Sequence, residues 1–276
     1  MTQRVVISGL ADGMGRQTAL VLAAKGVSIA GFDVDEEKLK SLGEELDRLG
    51  AEHHLIPLDI TDRDGVRAFR DAVLEKWGHV DTVMSNVGVP FFGPFEEVDL
   101  EAALRAFEIN VIGAATLFQS FIPGMRERRQ GKLVAVASLV GRIPFPFESI
   151  YSSTKFAVEG LVQSLKFEVE PFGIKVALIE PAQVKTGFAK KALKLPAKDS
   201  PYYERAMRFI NRDNELVENA TTPEVAAEKI AAVVLAEKPK LFNQVDTMSS
   251  IFFFLNQHLP TWSRDAILLN HMRIKD

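Results

Sequence analysis

Tyr151 and Lys155 bracket the run Tyr151-Ser152-Ser153-Thr154-Lys155, and residues four apart share one face of a helix. A phenol with a pKa of roughly 10 is a poor base at neutral pH. A lysine cation beside it favours the phenolate and lowers that pKa. Tyr151 can then take the proton of an alcohol as hydride leaves, or return it in the reverse direction. Ser138 ends the predicted strand before this helix and offers a hydroxyl to hold the substrate oxygen. Alone, Y-x-x-x-K is a cheap pattern that ordinary helices contain by chance. Its weight depends on what stands elsewhere in the chain.

A second set is Ser8-Gly9-Leu10-Ala11-Asp12-Gly13-Met14-Gly15-Arg16, directly after the first strand-like run and opening into a helix at Gln17–Lys25. Glycines let the backbone turn tightly and approach a pyrophosphate, and a helix N-terminus adds free N–H groups and positive dipole. The spacing is G-x-x-x-G-x-G rather than the commoner G-x-G-x-x-G. Its position, with a strand before it and a helix after it, is what separates it from a plain glycine turn. Gly9, Asp12, Gly13, Met14 and Gly15 are therefore candidate cofactor residues. Asp33 ends the second predicted strand, where a carboxylate can accept hydrogen bonds from adenosine ribose hydroxyls and repel a 2′-phosphate. NAD is expected over NADP. Asp12 adds negative charge nearby, and Arg16, in a first helical turn, is expected to face solvent. The positive ring of a bound nicotinamide would assist Lys155 in lowering the pKa of Tyr151.

The elements that must carry these residues alternate from end to end. Strands are expected at Arg4–Ser8, Val27–Phe32, His53–Pro57, Thr82–Ser85, Leu133–Ser138 and Lys175–Glu180, with a possible seventh at Lys240–Phe242. Most are continuous apolar runs, as in parallel strands covered on both faces. Between them, Leu39, Leu42, Leu46 and Leu49 recur at helical spacing, as do Val66, Phe69, Val73 and Trp77; Thr222-Pro223-Glu224 reads as a helix start. The expected fold class is α/β: a single Rossmann-type, doubly wound parallel sheet of about seven strands, with helices on both faces. Residues 1–245 would form the catalytic domain, including a substrate loop at about 187–220 that is either partly helical or a lid. Residues 246–276 would be a helical C-terminal extension of the same domain. Two helices, at about 99–128 and 150–170, are apolar around much of their circumference, which suggests a homodimer or homotetramer built through them.

Composition narrows the function. The chain has 276 residues, 47% hydrophobic and 25% charged, and a net charge of −4, which argues against a nucleic-acid partner. With no cysteine, thiolate metal sites and cysteine nucleophiles are excluded and a reducing cytoplasm is compatible. The first strand begins too early to leave room for a signal peptide. The most apolar stretch, Ile251–Leu255, falls far short of the roughly 18 residues of a membrane span, and a structural role is expected for it and Trp262. The five histidines show no metal-like grouping, so no metal is expected.

Taken together, these motifs resemble the short-chain dehydrogenase/reductase family over most of residues 4–240. The resemblance implies that Gly9, Gly13 and Gly15 form the family's glycine loop. It implies that Asp59-Ile60 faces adenine and that Asn86-Val87-Gly88 borders the adenine ribose. Asn110 matches the asparagine that kinks its helix and anchors a water in a proton relay. Lys155 would also bind the nicotinamide ribose, and Pro181, Val184 and Thr186 belong to the segment that holds the carboxamide. Ser8, Leu10, Val87 and Ala182 depart from the usual residues without removing a reacting group.

Aromatic residues cluster where the substrate crevice of such a sheet lies: Phe91 and Phe92 after the fourth strand, Phe145 and Phe147 after the fifth, Phe188 after the sixth. They suggest a small-molecule alcohol or ketone that is apolar or ring-containing; equally, several of them could be core residues. The segment from Tyr151 to Thr186 resembles the hydroxysteroid and retinol dehydrogenase side of the family. The main rival is a non-catalytic NAD(H)-binding sensor or scaffold of the same fold. A hydrolase is disfavoured because Ser138 lacks a G-x-S-x-G elbow. A sugar-nucleotide epimerase is disfavoured by the glycine spacing.

Overall fold

A computed structural model describes residues 2–188 and 196–275. Seven parallel strands form one sheet in the order β3-β2-β1-β4-β5-β6-β7. They are β1 (Arg4–Ser8), β2 (Ser28–Asp33), β3 (His53–Pro57), β4 (Thr82–Ser85), β5 (Gly131–Val136), β6 (Ile174–Ile179) and the short β7 (Phe242–Asn243). Strand order reverses between β1 and β4, and such a reversal opens a crevice beyond the carboxyl ends of the strands.

The period of two along the strands sorts side chains to opposite faces. Val5 and Ile7 pack on one layer with Leu22 of α1 (Gly13–Ala24), Leu42 of α2 (Glu36–Arg48) and Ile230 of α8 (Pro223–Leu235). Val6, between them, joins the opposite layer with Val73 of α3 (Arg63–Trp77), Phe118 of α5 (Gly113–Arg128) and Val162 of α6 (Ser149–Val169). Helix starts follow from acids that satisfy free amides: Asp35 accepts from Lys38 N at 3.1 Å, and Asp62 from Gly65 N at 2.9 Å. Gly78, at φ 73°, closes α3 in the left-handed conformation.

Two expectations need correction. Ser138 does not end β5; the strand stops at Val136, and Ser138 instead opens a short 3₁₀ turn at Leu139–Gly141. The helix expected at 99–128 is interrupted: α4 (Leu100–Phe107) passes through a π-helical turn at Glu108–Ile112 before α5 begins. The polar stretch after β6, expected to be partly helical or a lid, holds a helix, α7 (Tyr203–Glu218), whose buried Ala206, Phe209 and Asp213 share one face. Part of the expected substrate loop, 189–195, lies outside the described residues.

The C-terminal segment forms α9 (Thr247–His258) and α10 (Thr261–His271). Asp246 caps α9 through Ser249 N at 2.7 Å, and its second oxygen accepts from Ala182 N at 2.8 Å, tying α9 to the exit of β6. Phe252, Phe253, Met272 and Ile274 close a third apolar cluster with Phe91, Phe145, Tyr151 and Phe209. Within the run Ile251–Leu255, Phe252 and Phe253 are buried, whereas Ile251, Phe254 and the later Trp262 are exposed. Among the described residues, no helix is long and apolar enough to cross a membrane.

Candidate active site

A cavity of about 430 Å³ lies beyond the carboxyl ends of the central strands. One end is built by the loop between β1 and α1. Gly9 (φ 69°) and Gly13 (φ 54°) adopt left-handed conformations that side chains resist. Asp12 caps α1, its carboxylate accepting from Gly13 N at 2.7 Å. The loop is clamped from β4: Asn86 Nδ2 donates to Gly9 O at 2.7 Å, and Asn86 N donates to Ser8 Oγ at 3.2 Å. Gly15 lies under the loop rather than on the cavity wall. A Cβ there would sit 2.2 Å from Gly9 O and 2.5 Å from Asn86 Nδ2, so only glycine fits. Gly9, Asp12, Gly13, Met14 and Asn86 all face the cavity.

Asp33 stands beside this loop on the cavity wall. Its two oxygens accept from Ala11 N at 3.1 Å and Asp35 N at 3.2 Å, which fixes the carboxylate and leaves lone pairs for a ligand. The neighbouring charges differ from expectation. Asp12 does not simply add negative charge, because Lys38 Nζ lies 2.7 Å from it and 3.4 Å from Asp35. Arg16 is not solvent-facing: its side chain is only 15% exposed. Its guanidinium bridges α1 to α2 through Lys38 O, Ser41 Oγ and Glu45, the last at 3.1 Å.

Asp59 and Ile60 are also on the wall. Burial raises the Asp59 pKa, but hydrogen bonds from Thr61 and the Arg105 guanidinium outweigh it and hold the carboxyl below its ordinary value. Left-handed glycines at a helix start, a fixed carboxylate and the apolar sides of Leu58 and Ile60 fit the pyrophosphate, ribose and base of a dinucleotide.

At the other end, Ser138, Tyr151 and Lys155 face the same cavity. Ser138 Oγ accepts from Val140 N at 3.3 Å and donates to Pro181 O at 3.5 Å. Lys155 Nζ donates to Val136 O at 2.9 Å and lies 5.7 Å from the Tyr151 ring centre. Burial pushes the Lys155 pKa down to about 8. The spacing suggested that Lys155 lowers the Tyr151 pKa, but on balance the surroundings raise it. Burial raises it, the Glu148 and Asp213 charges add to the rise, and a hydrogen bond with Ser138 opposes it. Lys155 is engaged with Val136 O and is not among the groups that shift the phenol.

Asn110 is not on the cavity wall. It sits in the π-helical turn, accepting from Val89 N at 2.8 Å and donating to Val89 O and Thr154 Oγ1, both at 3.0 Å. Its amide is spent on joining the β4 loop to α6 between Tyr151 and Lys155. Gly88, Pro181, Val184 and Thr186 do line the cavity. Thr186 lies over the glycine loop, its methyl 3.3 Å from where a Gly13 Cβ would be.

The aromatic residues divide. Phe92, Phe145 and Phe188 line the cavity, with the Phe188 ring centre 5.8 Å from that of Tyr151. Phe91 and Phe147 do not. Phe91 is buried in the third apolar cluster, and Phe147, at φ 60°, packs on Phe209 with ring centres 5.8 Å apart. Three polar residues of the wall carried no sequence expectation: Glu148, Gln183 and Asp213. Glu148 left one signal, an acid in the otherwise apolar run Phe145-Pro146-Phe147 before Tyr151; Asp213 on α7 left none.

Residues 3–195 match the short chain dehydrogenase family. Over 249 residues the chain is 30% identical to human 17-beta-hydroxysteroid dehydrogenase type 1, covering 86% of this chain and 75% of that protein. It is 25% identical over 274 residues to 3-ketodihydrosphingosine reductase of Bacteroides thetaiotaomicron, covering 99% and 97%. Among solved structures, a short-chain dehydrogenase from Streptomyces avermitilis superposes with a TM-score of 0.83 at 29% identity, covering 99% of this chain and 98% of that one. A Burkholderia phymatum relative in complex with NAD superposes with a TM-score of 0.81 at 25% identity, covering 94% and 96%. The chain therefore belongs to the short-chain dehydrogenase family, oxidoreductases that work with a nicotinamide cofactor.

Proposed function

We propose that this protein is an NAD-dependent dehydrogenase or ketone reductase acting on lipophilic secondary alcohols and ketones, with Tyr151 as the proton carrier. The observation that carries the reading is the convergence of Ser138, Tyr151 and Lys155 on the cavity that also holds the glycine loop and Asp33. When bound, a nicotinamide would supply or accept the hydride, and its oxidised form would add positive charge to the site. Ser138 orients the substrate oxygen toward Tyr151, whose hydroxyl gives up or receives the proton. Lys155 keeps its cation at neutral pH and loses it as pH rises through about 8.

Preference for NAD is supported by Asp33 and by the engagement of the nearest cations, Lys38 with Asp12 and Asp35, and Arg16 with Glu45. A 2′-phosphate there would meet a carboxylate and no uncommitted arginine. An apolar, ring-containing substrate is supported by Phe92, Phe145 and Phe188 on the wall and by the similarity to a human hydroxysteroid dehydrogenase. Assembly as a homodimer or homotetramer in the cytoplasm completes the reading. Exposed Leu100 and Leu104 on α4, with Phe156 and Phe167 on α6, leave apolar surface on the two helices expected to pair.

The test is Tyr151→Phe. Turnover should fall by roughly 10²–10⁴-fold, the usual contribution of general acid–base catalysis, while NADH binding, followed by its fluorescence, persists. Unimpaired turnover would defeat the mechanism.

A further inference from the structure

The polar residues Glu148 and Asp213 have no role in hydride or proton transfer, yet both stand on the wall of the reacting cavity. Glu148 is 5% exposed and Asp213 is 7% exposed. Glu148 stands at the N-cap position of α6, and its side chain makes no capping bond. Its Oε2 is buried without a hydrogen-bond partner. Asp213 comes from α7 and receives one bond, from Gln183 Nε2 at 3.3 Å. Among the described residues, no lysine or arginine pairs with either carboxyl; the charged or titratable groups around Glu148 are Tyr151, Asp213 and, on the same cavity wall, Lys155.

Two buried carboxyls without a cation are costly, and a fold retains such groups only where something repays their desolvation. Burial, and after it the Asp213 charge, keep the Glu148 carboxyl well above its ordinary pKa, and burial raises that of Asp213. A neutral hydroxyl on a ligand would leave that repulsion in place. A ligand ammonium would relieve it and fill the missing donors at once. The same wall carries the apolar side chains of Val89, Phe92, Val140, Phe145, Phe188 and Val217.

We propose that the cavity recognises a protonated amine close to the reacting carbon of the substrate, held between Glu148 and Asp213, so that the substrate class is an amino alcohol or amino ketone with an apolar remainder. The inference rests on the reading of Tyr151 as the proton carrier, because that places the reacting carbon near Glu148. The amine is bound and oriented, not transformed.

The experiment compares oxidation of 1-amino-2-decanol and 2-decanol with NAD by the full chain, following NADH absorbance. The expected result is a kcat/KM for the amino alcohol at least roughly ten-fold above that for the plain alcohol, the size of one charge-assisted hydrogen bond. That ratio should collapse toward one in Glu148→Gln and in Asp213→Asn. The two variants lie on different elements, so a folding failure in one leaves the other to decide, and the wild-type ratio decides without either. Equal turnover of both alcohols would overturn the proposal alone, as would a preference that survives both substitutions. No turnover of either alcohol, by protein that still binds NADH, would overturn the dehydrogenase reading and the proposal with it.

Discussion

Replacing Asn110 with alanine separates a positioning role from a chemical one. The side chain makes three hydrogen bonds, with Val89 N at 2.8 Å and with Val89 O and Thr154 Oγ1 at 3.0 Å. Thr154 would keep its bond to Tyr151 O at 2.8 Å, so the groups left unsatisfied are the two backbone atoms of Val89. Each orphaned backbone group costs about 1–3 kcal/mol. Val89 borders the cavity, where water can reach part of it, so a total of about 3 kcal/mol is expected. For a domain of this size, that corresponds to a fall in Tm of roughly 6–12 °C and a matching fall in the urea midpoint at unchanged slope. Activity should fall with it, because Asn110 holds α6 at Thr154, between Tyr151 and Lys155. Asn110→Asp keeps the acceptor for Val89 N and loses both donors, and should land between wild type and alanine on both measures. The reasoning is refuted if Asn110→Ala melts within about 1 °C of wild type while turnover falls 100-fold or more. In that event the amide takes part in the chemistry directly.

Three further outcomes can be checked. Asp33→Asn removes the charge opposing a 2′-phosphate; like charges about 4 Å apart repel by roughly 1 kcal/mol in bulk water and roughly 4 kcal/mol near a protein surface, so the NAD-over-NADP ratio of kcat/KM should drop at least about five-fold in steady-state kinetics. An unchanged ratio would sink the assignment of Asp33. Gly15→Ala should raise the KM for the dinucleotide by at least roughly ten-fold and cost about 1–3 kcal/mol of stability, since its Cβ would meet Gly9 O at 2.2 Å; unaltered cofactor affinity would show that the loop tolerates displacement. Glu159 lies behind Lys155, and burial, with the neighbouring Glu180, raises its pKa from the ordinary 4.5. The folded chain therefore holds a proton that the unfolded chain releases above about pH 4.5, and stability is lost as pH rises beyond that value. Glu159→Gln should flatten the decline of Tm between about pH 5 and 8, measured by scanning fluorimetry; parallel curves for wild type and variant would contradict it.

Local patterns were enough for the scaffold. The strands at Arg4–Ser8, His53–Pro57 and Thr82–Ser85 have the bounds expected from their apolar runs, and the others shift by one or two residues. The glycine loop and the Tyr151–Lys155 spacing were legible because a turn and a helix face are defined by residues close together in the chain. What surrounds a site is not local. The fold decided that Lys38 neutralises Asp12, that Arg16 is anchored to α2, and that Asn110 spends its amide on Val89 and Thr154. It decided which phenylalanines reach the cavity and which fill the third apolar cluster. It also carried Asp213 from α7 to the cavity wall shared with Glu148, with burial raising rather than lowering the Tyr151 pKa. Desolvation and charge pairing depend on which distant elements close over a group, and that closure exists only once the chain has folded.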